Sequence, residues 1–259
     1  MRRAAVAALL LVAAGCGSSA RSPWHHGERA TPGADGTPTT TATSASPTTP
    51  ARLVTTRCAD LVVLGLRGQG QSARTHQGVG HEVQVAVRSL VRHLHDGRTV
   101  RLQAVRFPAV SAATEAEYDA DIAAGVALVR RARTTLAARC PGTSVALAGF
   151  SEGAQVAHRA AQAHAYALVL LMGDPLRNPR LSVRTLAFGI RLTGRGNAGY
   201  GAAFADPAHV VEACVAGDNV CNAPLTGRVG GVSATHRQFY ERPATARVVG
   251  AAVAQACAN

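Results

Sequence analysis

Val145-Ala-Leu-Ala-Gly-Phe-Ser-Glu-Gly-Ala-Gln155 decides the fold of this chain. A short apolar run ends at Gly149, Phe150-Ser151-Glu152-Gly153 follows, and an Ala-rich helical pattern begins. This is a G-x-S-x-G pattern at a strand-to-helix junction. A serine on so sharp a turn is held in strained backbone with its hydroxyl above the strand ends, and flanking glycines remove side chains that would clash. The helix N-terminus behind it presents backbone N–H groups and partial positive charge, which suit a developing oxyanion. Ser151 is the candidate nucleophile.

Outward from this junction, apolar runs and amphipathic patterns alternate. Asp60-Leu-Val-Val-Leu64 reads as a buried strand, and Arg67-Gly-Gln-Gly-Gln-Ser72 as a Gly-rich loop after it. That loop is no P-loop, since no G-K-[ST] follows, and no dinucleotide fingerprint, since Ala73 stands where a third Gly is needed. Val83, Val87, Leu90, Val91 and Leu94 share a helical face, and Val100, Leu102 and Ala104 alternate as in a strand. Tyr118, Ile122, Val126, Val129 and Leu136 predict a second amphipathic helix. After the Ser151 helix come a buried strand at 167–171, an irregular Arg- and Gly-containing stretch at 176–206, and a short final strand at 209–211. Pro243 opens a last helix whose Val248, Val249, Ala252 and Val253 are expected to pack on the sheet. The alternation predicts an α/β fold of three layers, with a central, mostly parallel sheet and helices on both faces.

The N-terminus reads as an export signal. Arg2-Arg3 precedes an apolar run at 4–14 that is too short to span a bilayer, and the run ends in Ala13-Ala-Gly-Cys16. Small residues before a cysteine resemble a bacterial lipobox, with Ala13 where Leu is usual, so Cys16 is the candidate lipidation site. Residues 17–52 are rich in Ser, Thr, Pro, Gly and Ala and are expected to form a disordered linker, spanning roughly 30 Å if flexible. Residues 53–259 make the folded domain. All 27 basic residues counted with Lys are Arg, giving a net charge of +12, yet they are scattered with no aromatic interleaving. Nucleic acid is therefore not an expected partner, whereas an anionic cell envelope is compatible. His25-His26 lies in the linker and is not expected to hold metal.

A serine nucleophile needs a base, and the base an orienting acid. The histidines after Ser151 are His158, His164, His209 and His236. The first two fall on the helix after the turn, pointing away from the hydroxyl, and His209 falls in a strand; His236 lies in a loop before the last helix. The acids in between are Asp174, Asp206, Glu212 and Asp218. Asp218 stands inside Cys214-Val-Ala-Gly-Asp-Asn-Val-Cys221, where a disulfide would fix the backbone around it at a gain of about 2–3 kcal/mol.

Together these residues resemble the cutinase family of serine esterases, a lidless branch of the α/β-hydrolase fold. C-x-x-x-D-x-V-C is present as Cys214, Asp218, Val220 and Cys221; Cys-Pro as Cys140-Pro141; G-[YF]-S-[QE]-G-A as Gly149 to Ala154; and G-D-P as Gly173 to Pro175. An H-x-x-Y-like end is present as His236-Arg-Gln-Phe-Tyr240, with Tyr one place late. The resemblance spans about Cys58 to Ala256. It implies Ser151 as nucleophile, Asp218 as acid, His236 as base, and disulfides Cys58–Cys140 and Cys214–Cys221. It also implies an oxyanion hole from the backbone N–H groups of Gln69 and Glu152, and no cofactor or metal. Two departures stand out: Gln69 replaces the family's Ser or Thr, and Glu152 its commoner Gln. Cys257 lies outside both bridges, its state open between buried thiol, reactive thiol and intermolecular bridge. The expected protein is an exported, lipid-anchored, monomeric esterase. Lipase, phospholipase or thioesterase chemistry on the same fold is one alternative; a catalytically silent envelope protein binding lipid or glycan is another.

Overall fold

The computed structural model describes residues 49–189, 191–225 and 231–258. The segment expected to direct export, Cys16 and nearly all of the expected linker lie outside the described residues.

Leu61–Leu66 (β2) is buried along its whole length and lies inside the sheet, next to its middle strand. Such a run has no polar face to offer solvent, so it requires cover on both sides. The other strands are β1 (Arg52–Leu53), β3 (Thr99–Ala104), β4 (Ser144–Phe150), β5 (Leu168–Met172), β6 (Arg184–Phe188) and β7 (Val210–Val215). They lie in the order β1-β3-β2-β4-β5-β7-β6, and every neighbouring pair is parallel. On one face α1 (His81–His93) and α5 (Pro243–Ala258) pack, with Val83, Val87, Leu90, Val249 and Val253 in that core. The other face carries α2 (Glu115–Arg139) and α3 (Glu152–Ala163), with Ile122, Val129, Leu136, Val156 and Ala157 beneath them. A short α4 (Ala234–Gln238) precedes α5. Thr114 caps α2 through a reciprocal capping box with Glu117.

From β2 the chain runs first to β3 on one side and then crosses to β4 on the other. Open parallel sheets bind ligands at such a reversal, beyond the C-terminal strand ends. The loop after β2 and the Ser151 turn after β4 flank it.

Four expectations change. The irregular stretch at 176–206 contains β6, an edge strand whose Arg184-Thr-Leu-Ala-Phe188 is largely exposed and so lacks an apolar run. The strand expected at 209–211 is β7, twice that length, buried throughout and internal to the sheet; Glu212 in its middle interrupts the apolar pattern. His209 precedes β7 in a single 3-10 turn, with Nδ1 2.8 Å from Asp206. Val249, Ala252 and Val253 are buried in α5, whereas Val248 is half exposed.

Candidate active site

Ser151 connects β4 to α3 with φ 55° and ψ −121°. A β-carbon in this region is strained by about 1–3 kcal/mol, so the surrounding contacts must hold it. Its N–H donates to Met172 O at 2.9 Å, and its carbonyl accepts from Gln155 N at 3.0 Å. The two flanking glycines are required by space. A Cβ on Gly149 would stand 2.3 Å from Gly153 O, and one on Gly153 would stand 2.2 Å from Leu66 O. That second approach presses the start of α3 against the end of β2.

His236 lies on α4, where Ser233 Oγ accepts from its backbone N–H at 3.1 Å. Its Nδ1 lies 2.9 Å from both carboxylate oxygens of Asp218. Asp218 is fully buried and also accepts from Tyr240 Oη at 2.6 Å and Val220 N at 2.8 Å. Burial alone would raise its carboxyl; the hydrogen bond and charge of His236, with the Tyr240 and Val220 donors, hold it below its ordinary value. The carboxylate therefore stays ionised and fixes the imidazole with Nδ1 as the donor. The other ring nitrogen, His236 Nε2, is buried with no hydrogen-bond partner among the described residues. Phe150, the residue before Ser151, stacks on the His236 ring with centroids 4.8 Å apart. Gly173, at the end of β5, allows this approach, since a Cβ there would stand 2.7 Å from His236 Cε1. The Cys214–Cys221 disulfide brackets Asp218, and Cys58–Cys140 joins the start of the domain to the end of α2. Cys257 is a buried thiol that accepts from Arg98 Nη1 at 3.2 Å.

The structure thus brings Asp218 and His236 together, and Phe150, which stacks on the His236 ring, is followed directly by Ser151. Asp174 goes elsewhere: it pairs with His158 Nδ1 at 2.6 Å, both buried, and His158 Nε2 lies 3.2 Å from Ala202 O. His158, Asp174 and Glu212 could each turn one ligand atom to a common point. Arg177 Nε, 3.8 Å from Glu212, supplies positive charge there instead, so the group reads as a buried ion-pair network. Tyr240 had a place in the sequence pattern but no role; its hydroxyl on Asp218 supplies one.

On the other side of the turn, Gly68 packs so tightly that a Cβ would stand 2.9 Å from Phe150 Cδ1 and 3.4 Å from Ser151 Cβ. Gln71 Oε1 accepts from Gly68 N at 2.8 Å, while Gln71 Nε2 donates to Glu82 at 2.7 Å. Arg67 straps the same loop to Gln71 O and Phe107 O. Gln69 follows Gly68 with its side chain exposed. Glu152 provides the first N–H of α3, which has no intrahelical acceptor.

The Glu152 side chain is buried, and neither carboxylate oxygen has a hydrogen-bond partner among the described residues. Burial, reinforced by Asp121 and partly opposed by Arg67, pushes it up to about 7 from 4.5. Between these values the unfolded chain ionises Glu152 while the folded chain keeps it protonated, so folding loses stability as pH rises through that window. Glu152→Gln is expected to raise the unfolding free energy over wild type by roughly 2–3 kcal/mol at pH 8 and by under about 1 at pH 5, read by urea denaturation. An equal difference at both pH values would contradict the assignment.

The cutinase family profile matches residues 57–250. A cutinase of Coprinopsis cinerea is 29% identical over 130 residues, which cover 48% of this chain and 61% of that protein. The chain thus spans about three fifths of the curated relative it matches. A cutinase-like protein from Cryptococcus sp. superposes with a TM-score of 0.57 at 20% identity, over 83% of this chain and 100% of that one. The catalytic core of the acetyl xylan esterase from Trichoderma reesei gives 0.56 at 18% identity, over 77% and 98%. These structures share the fold, and the profile covers most of the domain: the chain belongs to the cutinase family.

Proposed function

We propose that this protein is an exported serine esterase that hydrolyses carboxylic esters through an acyl-enzyme on Ser151. The observation that carries the reading is the buried Asp218–His236 pair: His236 Nε2 has no hydrogen-bond partner among the described residues, and its ring stacks on the residue before Ser151. In this mechanism His236 Nε2 takes the Ser151 hydroxyl proton as Oγ attacks the ester carbonyl. Asp218 holds Nδ1–H and stabilises the imidazolium that results. The N–H groups of Glu152 and Gln69 receive the oxyanion; Gln69 serves through its backbone, so the missing hydroxyl weakens the hole without removing a donor. The imidazolium then protonates the leaving alcohol, and a water activated by neutral His236 releases the acid. Each of these steps uses the chain's own residues and no cofactor.

Steady-state hydrolysis of p-nitrophenyl esters from two to sixteen carbons tests the reading. Turnover of at least one chain length supports it, and the profile separates short-acyl esterase from lipase-like preference. A folded, disulfide-bonded protein inert on every chain would favour the binding-protein alternative.

Export and anchoring belong to the same proposal. The Arg2-Arg3 and apolar run ending at Cys16 support a lipid anchor, and two disulfides suit an oxidising envelope. The domain would then act as a monomer held off the membrane by its linker. Cys16→Ala should release the protein into the medium in a host that processes lipoproteins. Unchanged retention in the cell envelope would sink the anchor.

A further inference from the structure

A concave site lies away from the serine turn, on the α2 face of the sheet. It is a cavity of about 410 Å³ running from the end of β3, at Ala104 to Arg106, to the end of α2, at Arg139 and Cys140. Five arginines line it, Arg57, Arg101, Arg106, Arg131 and Arg139, and no acidic residue does. None of the five takes part in a salt bridge among the described residues. Leu128, Val105 and Leu136 give it an apolar floor.

Ordinary surface charge does not account for this grouping. Arg139 ends α2, where the helix dipole favours a cation, but Arg101 and Arg106 come from the sheet side and have no such reason. Arg101 is half-buried, its Nε has no hydrogen-bond partner among the described residues, and its Nη2 reaches only neutral Gln103. Burial and the nearby Arg57 both disfavour its charge. Five like charges around one cavity repel one another, and a bound multivalent anion would turn that repulsion into attraction. The arginine fork matches paired oxygens, and a phosphoryl group offers several such pairs where a carboxylate offers one. The volume lies within the range of small-molecule sites, with room for a phosphoryl group and a small organic part over the apolar floor.

We propose that this cavity is a binding site for a phosphoryl-bearing ligand, independent of the Ser151 chemistry. Isothermal titration with inorganic pyrophosphate should give one saturable site per chain in both wild type and Ser151→Ala. Arg131 and Arg139 are exposed on α2, so an Arg131→Gln/Arg139→Gln variant should fold normally and weaken pyrophosphate binding by at least about tenfold. Arg101→Gln should weaken it similarly. Arg88→Gln/Arg247→Gln removes the same net charge from exposed positions on the opposite face and should leave affinity within about twofold, since ligand contacts, not long-range charge, set it. Co-sedimentation with phosphatidic acid–phosphatidylcholine vesicles separates the two sources of the group. Vesicle binding lost in the cavity variant and kept in the control assigns a lipid headgroup; vesicle binding alike in both assigns a free phosphoryl compound. Absence of a saturable pyrophosphate site, or equal weakening by cavity and control variants, would overturn the proposal.

Discussion

Ser151→Ala is expected to lower kcat for p-nitrophenyl ester hydrolysis by roughly 10⁴-fold or more, because it removes the atom that forms the acyl-enzyme. The fold should survive. The change deletes one partly exposed hydroxyl, while Gly149, Gly153 and the Ser151 N–H to Met172 O bond that shape the turn remain. Alanine is strained at φ 55° much as serine is, so little stability is gained or lost. Circular dichroism and the urea midpoint check this in the same samples. A well-folded variant retaining more than about a hundredth of the wild-type kcat would remove Ser151 from the nucleophile's role, since general acid–base help alone is worth about that much.

The second large effect separates two buried His–Asp pairs that look alike on paper. Asp218→Asn should cut kcat by about 10³–10⁴ with little change in KM, because an amide turned towards His236 Nδ1 favours the wrong tautomer. Asp174→Asn should act on stability instead. It breaks the 2.6 Å contact with buried His158 next to Glu212 and Arg177, and removing one partner of a buried pair costs about 3–5 kcal/mol. The remaining folded fraction should keep wild-type kcat. Active-site titration measures that fraction and urea denaturation the loss. The reverse pattern, with Asp174 controlling kcat, would transfer the acid's role to the G-D-P turn.

The sequence was legible where chemistry and periodicity coincide. β2, β4 and β5 are uninterrupted apolar runs, and α1 carries its core residues on a single stripe. β6 was not legible, since an exposed edge strand needs no apolar run, and Glu212 hid the extent of β7. At the site, spacing alone left four acids open after Ser151, and only the pattern around Cys214 and Cys221 favoured Asp218. Three features needed coordinates. Tyr240 reaches Asp218 across 22 positions of sequence, Asp174 is engaged by His158, and Gly173 makes room for the His236 ring. The arginine cavity is not legible in the sequence because its members come from three separate stretches of the chain, at 57, 101–106 and 128–140.

The most direct test of the central claim is covalent capture. The protein is incubated with a p-nitrophenyl alkylphosphonate, nitrophenol release is counted, and the labelled peptide is mapped by mass spectrometry. The expected result is one equivalent released and one phosphonyl adduct, on Ser151, abolished in His236→Ala. An adduct on another residue, or undiminished ester hydrolysis after complete labelling of Ser151, would contradict it.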